Sequence, residues 1–160
     1  MGYIDASFDT DPDDSRSQSG YVFKVNGGAV SYKSCKQSVV AQSTMEAEYV
    51  AAAEAANEAA WLMKFVKQLG VFLSARDPVT ILCDNTGAIA NAKEPRKHST
   101  AKHILQRFHV IRDYIKKRRI QICKVHTDLN VTDPLTKPLP QAKHDQYQKS
   151  MGVRLLQNVN

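Results

Sequence analysis

The sequence predicts a mixed α/β domain, and three observations support this prediction. Short apolar segments alternate with longer segments of helical periodicity in the order β, β, β, α, β, α, α, β, α. The chain has 160 residues, the size of one ordinary domain, and its 42% hydrophobic residues suffice for a core. No internal repeat appears. We therefore expect residues 1–160 to form a single domain with a five-stranded sheet flanked by helices.

The strands are predicted from apolar alternation and from turn residues. GYIDAS (2–7) is a short strand that carries Asp5 and Ser7, and residues 19–37 form a hairpin whose turn is Asn26-Gly27. The β-branched run VTILCDN (79–85) predicts a central strand buried on both faces. IQICKVHT (120–127) is the last predicted strand, and DLNVTD (128–133) is a predicted loop.

The first helix has the clearest boundaries in the sequence. Ser43 followed by Glu46 is a capping box, which predicts a helix from about Thr44 to Gly70. Its predicted buried stripe consists of Met45, Tyr49, Ala52, Ala56, Ala59 and Met63. In its second half the apolar residues spread round the cylinder, which indicates burial on several sides or contact with another domain. Further helices are predicted at 85–93, 100–118 and 141–152.

Charge is unevenly distributed along the chain. The formal net charge is +6, and the segment 93–119 is strongly basic. Such a block favours a polyanionic partner, although a solubilising face would have the same composition. On the helix at 100–118, Lys102, His109, Arg112 and Lys116 share one face, which is either a track for phosphates or a solvated surface.

Other sequence features bear on environment and on metal binding. No apolar run has the length of a transmembrane helix, and no secretory signal is visible. Cys35, Cys83 and Cys123 are widely spaced and predict buried free thiols in a reducing compartment. His98, His103 and His109 lie at spacings of five and six, on different helical faces, so one zinc ion could not easily collect them.

Four acids occupy positions typical of a catalytic site. Asp5 lies in the first strand, Glu48 in the first helix, Asp84 at the end of a buried strand and Asp133 before the last helix. Strand ends of an α/β sheet converge on one edge, where four carboxylates would repel each other unless cations neutralised them. Oxygen ligands of this kind suit Mg²⁺ or Mn²⁺ and two-metal phosphodiester hydrolysis. Asp84 and Asp133 could also be simple helix caps.

Several motifs together resemble the ribonuclease H domain of copia-type LTR retrotransposon polyproteins. They are YIDAS, STMEAEYVAA, LCDNTGAIA, HSTAKHILQRFHVIRD and VTDPLTKPLP, in this order, together with the hairpin SRSQSGYVFKVNGGAVSYKSCKQ. Each motif is short, but the ordered set is specific, and it places the core of the domain at about residues 3–152. The resemblance implies the ribonuclease H fold and Mg²⁺-dependent cleavage of the RNA strand of an RNA–DNA hybrid during reverse transcription.

The resemblance also implies roles for individual residues. The family's catalytic, metal-binding acids fall on Asp5, Glu48, Asp84 and Asp133. Asp5 and Asp84 would bridge two Mg²⁺ ions, for which Mn²⁺ can substitute. Glu48 and Asp133 would each complete the coordination of one ion. Cellular ribonucleases H carry a loop histidine upstream of the fourth acid, and only His126 is available here for that role in product release.

Substrate contacts can be predicted beside these acids. Ser7, Thr44 and Asn85 are candidates for hydrogen bonds to sugar 2′-hydroxyls, or else for local turn and cap bonds. Lys102, Arg112 and Lys116 are candidates for backbone phosphates.

The expected context follows from the resemblance. The partners are an RNA–DNA hybrid and the reverse transcriptase polymerase domain of a parent polyprotein, with no membrane and no small-molecule cofactor. The expected location is the cytoplasm, in retrotransposon virus-like particles. Two alternatives are a DNA-processing nuclease of the same fold and an inactive nucleic-acid-binding domain tethered to a reverse transcriptase.

Overall fold

The computed structural model describes residues 1–11, 13–70, 78–93 and 102–154, except for the side chains of residues 102–106 and 108. Its centre is a five-stranded sheet with the order β3-β2-β1-β4-β5. The strands are β1 (Gly2–Ser7), β2 (Gln18–Val25), β3 (Gly28–Lys36), β4 (Val79–Cys83) and β5 (Ile120–Lys124). β1, β2 and β3 are antiparallel neighbours, whereas β4 runs parallel to both β1 and β5.

Helices cover both faces of this sheet. They are α1 (Thr44–Leu69), α2 (Thr86–Lys93), α3 (Lys102–Lys116) and α4 (Gln141–Ser150). The main core joins α1, α2 and α3 to one face, through residues such as Ile4, Phe23 and Ile81. The opposite face packs Val22 against Tyr147 and Met151 of the α4 region. No helix among the described residues is both long and apolar enough to cross a membrane.

The local signals at the start of α1 are confirmed with one change. The Ser43 side chain accepts a hydrogen bond from the Glu46 backbone N–H at 3.2 Å. The Glu46 carboxylate accepts from the backbone N–H of Gln42 at 2.8 Å, one residue earlier than a standard capping box predicts. Gly70 closes the helix in the left-handed conformation, with φ of 65°.

The buried face of α1 is wider than the predicted stripe. Tyr49, Ala52, Ala56 and Ala59 are buried as predicted, but Met45 and Met63 are only partly buried. Further buried residues include Ala47, Glu48, Val50, Ala51, Ala53 and Ala55, because the first half of α1 lies between the sheet and the other helices. In its second half, Trp61, Phe65 and Leu69 are exposed, and the rings of Trp61 and Phe65 stack at 5.3 Å.

Several predicted boundaries and burial states need correction. β4 is not buried on both faces: Ile81 and Cys83 are buried, while Val79, Thr80 and Leu82 are partly exposed. β5 ends at Lys124, before the predicted end of the strand at 127, and two 3₁₀ turns, Thr127–Leu129 and Asp133–Leu135, overlap the two ends of the predicted loop. The three cysteines are free as predicted, but only Cys83 is buried.

Some predictions fall on residues that the structure does not describe. The part of the basic segment that carries His98 lies outside the described residues. The side chains of Lys102 and His103 also lie outside the described residues, although their backbone belongs to α3.

Candidate active site

The predicted acids lie where β1 and β4 separate. These parallel strands pair only at Gly2–Ile81 and Tyr3–Leu82. Beyond that point the Asn130 side chain donates to the Ile4 carbonyl at 2.8 Å, in place of a neighbouring strand. A crevice at the carboxyl ends of diverging strands is where ligands bind in open α/β sheets. Asp5 lies on β1 just beyond the last of these pairs, and Asp84 follows β4 directly.

Two further elements bring the other acids to this edge. The first turns of α1 pack against β1 and carry Glu48, whose carboxylate accepts a hydrogen bond from the Ala6 backbone N–H. The second 3₁₀ turn packs against β2 and opens with Asp133. Asp5, Glu48 and Asp133 are only 3%, 4% and 6% exposed, whereas Asp84 is partly exposed. Three buried carboxylates at one edge are costly without compensating cations.

Glu48 has a strongly raised pKa. Burial, followed by the charges of Asp5 and Asp84, raises the pKa of Glu48 from 4.5 to about 9. Its Oε2 atom is buried and has no hydrogen-bond partner among the described residues. A ligand atom from Glu48, the Asp84 carboxylate and the Cys83 thiol lie within 4.8 Å of one another. A buried acceptor without a donor is the feature that a bound cation would satisfy.

Asp5 and Asp133 form the other half of the site. The Thr136 hydroxyl donates to Asp5 Oδ2, and the Tyr147 hydroxyl donates to Asp133 Oδ2 at 3.2 Å. Lys137 Nζ lies 3.0 Å from Asp133 Oδ1 and 3.6 Å from Asp5 Oδ2. Burial raises the pKa of Asp5, while the hydrogen bond from Thr136 and the charge of Lys137 oppose that shift. Asp133 is not a helix cap, because Thr132 occupies the cap position of the second 3₁₀ turn and the Asp133 carboxylate contacts Lys137 and Tyr147 instead.

Lys137, Thr136 and Tyr147 were missed by sequence reasoning. Burial alone would lower the pKa of Lys137, but its hydrogen bond to Asp133 and the charges of Asp5, Asp133 and Asp84 raise it above its usual value. Burial and then the Asp133 charge raise the pKa of the Tyr147 hydroxyl. Lys137 could have been found from its spacing, since it follows Asp133 by four residues, a distance that allows an ion pair on a helical turn.

The donor set fits a hard divalent ion. Carboxylate oxygens are the preferred protein ligands of Mg²⁺ and Mn²⁺, and the unpartnered Glu48 Oε2 offers one such atom. Cys83 is a poor ligand for these ions because thiolate sulfur favours softer metals. Burial raises the pKa of the Cys83 thiol to about 12, so the thiol stays protonated, and its sulfur accepts from the Asn85 N–H at 3.3 Å.

The predicted substrate-contact residues have mixed surroundings. Ser7 ends β1 and is partly exposed, and Thr44 is exposed at the first residue of α1. Asn85 caps α2, since its Oδ1 accepts from the Ala88 N–H at 2.9 Å; Asn85, and not Asp84, therefore has the capping role. Lys124 Nζ binds the Asp84 carbonyl beside this cap.

The basic face of α3 divides into two environments. His109 and Lys116 are exposed. Arg112 is partly buried, and its Nη2 donates to the Asn91 carbonyl of α2 at 3.2 Å. His126 is exposed, and its Nδ1 accepts from the Asp128 N–H at 3.3 Å, which caps the first 3₁₀ turn.

Comparison with known sequences gives matches over most of the chain. It is 37% identical over 152 residues to the retrovirus-related Pol polyprotein from transposon TNT 1-94 of Nicotiana tabacum, covering 95% of this chain and 11% of that polyprotein. It is 34% identical to the corresponding polyprotein from transposon RE2 of Arabidopsis thaliana, covering 94% of this chain and 10% of the polyprotein. The chain thus spans about a tenth of the length of these relatives. No family model matches it.

Comparison with solved structures identifies the fold. LC11-RNase H1 in complex with an RNA/DNA hybrid matches with a TM-score of 0.60 and 16% identity, covering 84% of this chain and 91% of that chain. The foamy viral protease-reverse transcriptase in complex with an RNA/DNA hybrid matches with a TM-score of 0.59 and 21% identity, covering 84% of this chain and 19% of that one. At these identities the likeness shows the fold alone, which is the ribonuclease H fold expected from the motifs.

Proposed function

The chain belongs to the ribonuclease H domains of copia-type retrotransposon Pol polyproteins, and we propose from this premise that it hydrolyses the RNA strand of RNA–DNA hybrids during reverse transcription. The observation that carries the proposal is the meeting of Asp5, Glu48, Asp84 and Asp133 at one edge of the sheet. The charges of Asp84 and Asp133 act on Asp5, and those of Asp5 and Asp84 act on Glu48, so the four acids form one electrostatic unit.

Each acid has a proposed role in holding Mg²⁺ or Mn²⁺. Asp5 and Asp84 would be ligands of both ions. Asp133 would complete the coordination of the ion on the side of the attacking water. Glu48 would complete the coordination of the other ion and contact the substrate. When bound, such ions supply an activated water and stabilise the leaving oxygen of the phosphodiester. The protein orients the ligands: Thr136 and Tyr147 hold the carboxylates of Asp5 and Asp133 by hydrogen bonds.

Substrate recognition is proposed for residues around the acids. Ser7, Thr44 and Asn85 would contact sugar hydroxyls, which distinguish RNA from DNA. Lys102 and Lys116 would contact phosphates, and Arg112 would support that surface through its bond to Asn91. His126 is exposed and would assist product release.

The proposed biological context is a longer polyprotein. The relatives are retrovirus-related Pol polyproteins of which this chain covers about a tenth, which supports a reverse transcriptase polymerase domain as its partner. We place its activity in the cytoplasm, within retrotransposon particles.

A cleavage assay on labelled substrates tests this function. The chain should cut the RNA strand of a hybrid in Mg²⁺ or Mn²⁺ and stop in EDTA, while Ca²⁺ should support binding with little cleavage. Asp5→Asn should abolish cleavage and retain the fold, because it removes the charge and keeps the volume. Preferential cleavage of duplex DNA would favour the DNA-processing alternative. Hybrid binding without cleavage under every metal condition would favour the inactive tether.

A further inference from the structure

Lys137 lies between two of the four acids and is held there by the backbone. The Asp133 carbonyl accepts from the Lys137 backbone N–H at 3.2 Å, so the two residues stand one turn apart. From this position the ammonium group lies 3.0 Å from Asp133 Oδ1 and 3.6 Å from Asp5 Oδ2. Both carboxylates are more than nine-tenths buried, whereas the Lys137 side chain is 38% exposed. The lysine therefore approaches the pair from the solvent side.

The other polar contacts of the pair leave Asp133 Oδ1 to the lysine, whereas Asp5 Oδ2 has a second partner. The Tyr147 hydroxyl binds Asp133 Oδ2, and the Thr136 hydroxyl shares Asp5 Oδ2 with Lys137. Two buried carboxylates repel each other, and a cation near both offsets that repulsion. Lys137 thus supplies a positive charge at the place where an ion bound by Asp5 and Asp133 would supply it.

We propose that Lys137 is an internal counter-ion of the Asp5–Asp133 pair and that a divalent metal ion must displace its ammonium group to bind there. Lys137 would then be a positioning residue that sets the metal affinity of this half of the site. This inference rests on the proposed function, which requires metal ions at these acids. In addition, the Lys137 ammonium group competes with the metal ion for Asp5 and Asp133. In the absence of metal it neutralises these two acids, so the chain can fold with both of them buried.

Metal titration of a lysine variant tests the proposal. Lys137→Met keeps an unbranched side chain and removes the charge. Calorimetric titration with MgCl₂ or MnCl₂ should give a metal dissociation constant for this variant about tenfold lower than that of the parent chain. The reason is that a unit charge within a few ångströms of the acids acts through a reduced dielectric. In EDTA the variant should melt at a lower temperature than the parent, and saturating Mg²⁺ should close most of that gap.

The chain offers a matched control. Lys117 also follows its partner acid, Asp113, by four residues, with Nζ 2.8 Å from Oδ2, and this pair is exposed. Lys117→Met should leave both the metal dissociation constant and the difference between melting temperatures with and without Mg²⁺ unchanged.

A second measurement uses the unaltered chain, so it stands even if Lys137→Met does not fold. Lysine-modifying reagents followed by mass spectrometry should label Lys137 slowly in EDTA and faster after Mg²⁺ is added, because displacement frees its amine. Lys117 should label equally in both conditions.

The outcomes separate this inference from the proposed function. Equal or weaker metal binding by Lys137→Met, with normal binding by the parent chain, would overturn the inference alone. Slower or unchanged labelling of Lys137 on addition of Mg²⁺ would also overturn it. If the parent chain binds no divalent ion, both the inference and the metal-dependent function fail.

Discussion

Glu46 and Glu48 are two acids of the same helical turn with different environments. The Glu46 carboxylate accepts from the Gln42 backbone N–H and caps α1, next to the solvent. Glu48 is 4% exposed and faces Asp5 and Asp84. The two side chains therefore allow one residue to be tested for stability and the other for activity.

Gln substitutions at these two positions should have opposite effects. Glu46→Gln should cost about 1 kcal/mol or less of stability, as for other helix caps, and keep most of the activity. Glu48→Gln should suppress hybrid cleavage severely, because it removes a proposed metal ligand. Its stability in EDTA should stay level or rise, because glutamine, unlike glutamate, adds no charge to the cluster at any pH. Thermal melts and cleavage rates on both variants measure these effects, and the reverse pattern would contradict a capping role for Glu46 and a metal-binding role for Glu48.

The buried state of Glu48 also predicts a pH dependence of stability. Its pKa is raised from 4.5 to about 9 in the folded protein, so between these values the folded chain keeps a proton that the unfolded chain releases. This contribution to stability is fully present below the lower value and is lost as pH rises through the higher one.

The measurement is urea unfolding in EDTA across that range. The free energy of unfolding of the parent chain should decline from about pH 5 to about pH 9, and the decline should be smaller in Glu48→Gln. An identical decline in both proteins would show that Glu48 does not titrate in this way.

At the scale of the element, α3 carries one basic side chain that is exposed and another that contacts a neighbouring helix. Lys116 is exposed near the end of the helix, whereas Arg112 is partly buried and donates to the Asn91 carbonyl of α2. On this helical face, Lys116 is a proposed phosphate contact, whereas Arg112 joins α3 to α2.

Alanine substitutions should separate these purposes. Lys116→Ala should flatten the slope of log affinity against log salt by about 0.9 for each lost phosphate contact, with stability unchanged. Lys102→Ala should do the same. Arg112→Ala should lower stability by about 1–3 kcal/mol, as for hydrogen bonds to charged groups.

Hybrid binding across a salt series, with chemical denaturation of each variant, measures both effects. Lys149→Ala removes an exposed cation from α4 and is the control for net charge. If Lys116→Ala and Lys149→Ala change the salt slope equally, the α3 face is only a solvated surface.

At the scale of the molecule, the site depends on a close approach between the sheet and the turn that carries Asp133. Gly20 of β2 lies opposite Asp5 of β1. A Cβ atom on Gly20 would lie 2.8 Å from Thr136 Cγ2 and 2.9 Å from Leu135 Cβ. Glycine at this position lets the turn pack onto the sheet, and this packing holds Thr136 against Asp5.

Gly20→Ala should therefore damage both fold and activity. The added methyl group should push the Leu135–Thr136 turn outwards, at a cost of about 1–3 kcal/mol, and separate Asp133 from Asp5. The melting temperature and the rate of hybrid cleavage should both fall.

Gly28→Ala is the matched control, because a Cβ there would meet only the Val25 carbonyl oxygen at 3.9 Å. It should change stability by no more than about 0.5 kcal/mol and leave cleavage intact. Full activity in Gly20→Ala would show that the site does not need this close approach.

Local patterns in the sequence were sufficient to predict the type and order of the helices and strands and to identify the candidate acids. Alternation and the Asn26-Gly27 turn predicted the hairpin, and Ser43, Glu46 and Gly70 predicted both ends of α1, because caps and turns depend on residues close in the chain. The ordered motifs pointed to the family and to Asp5, Glu48, Asp84 and Asp133.

Only the tertiary structure decided how these residues are partnered. Lys137 and Tyr147 contact Asp133 because a 3₁₀ turn and α4 fold back over the sheet, and Thr136 reaches Asp5 across 131 positions of the chain. Arg112 joins α2 through a contact that its own helical periodicity does not show. Burial and charge compensation arise between residues that are distant in the chain, so a local pattern can identify an acid but not the cation that neutralises it.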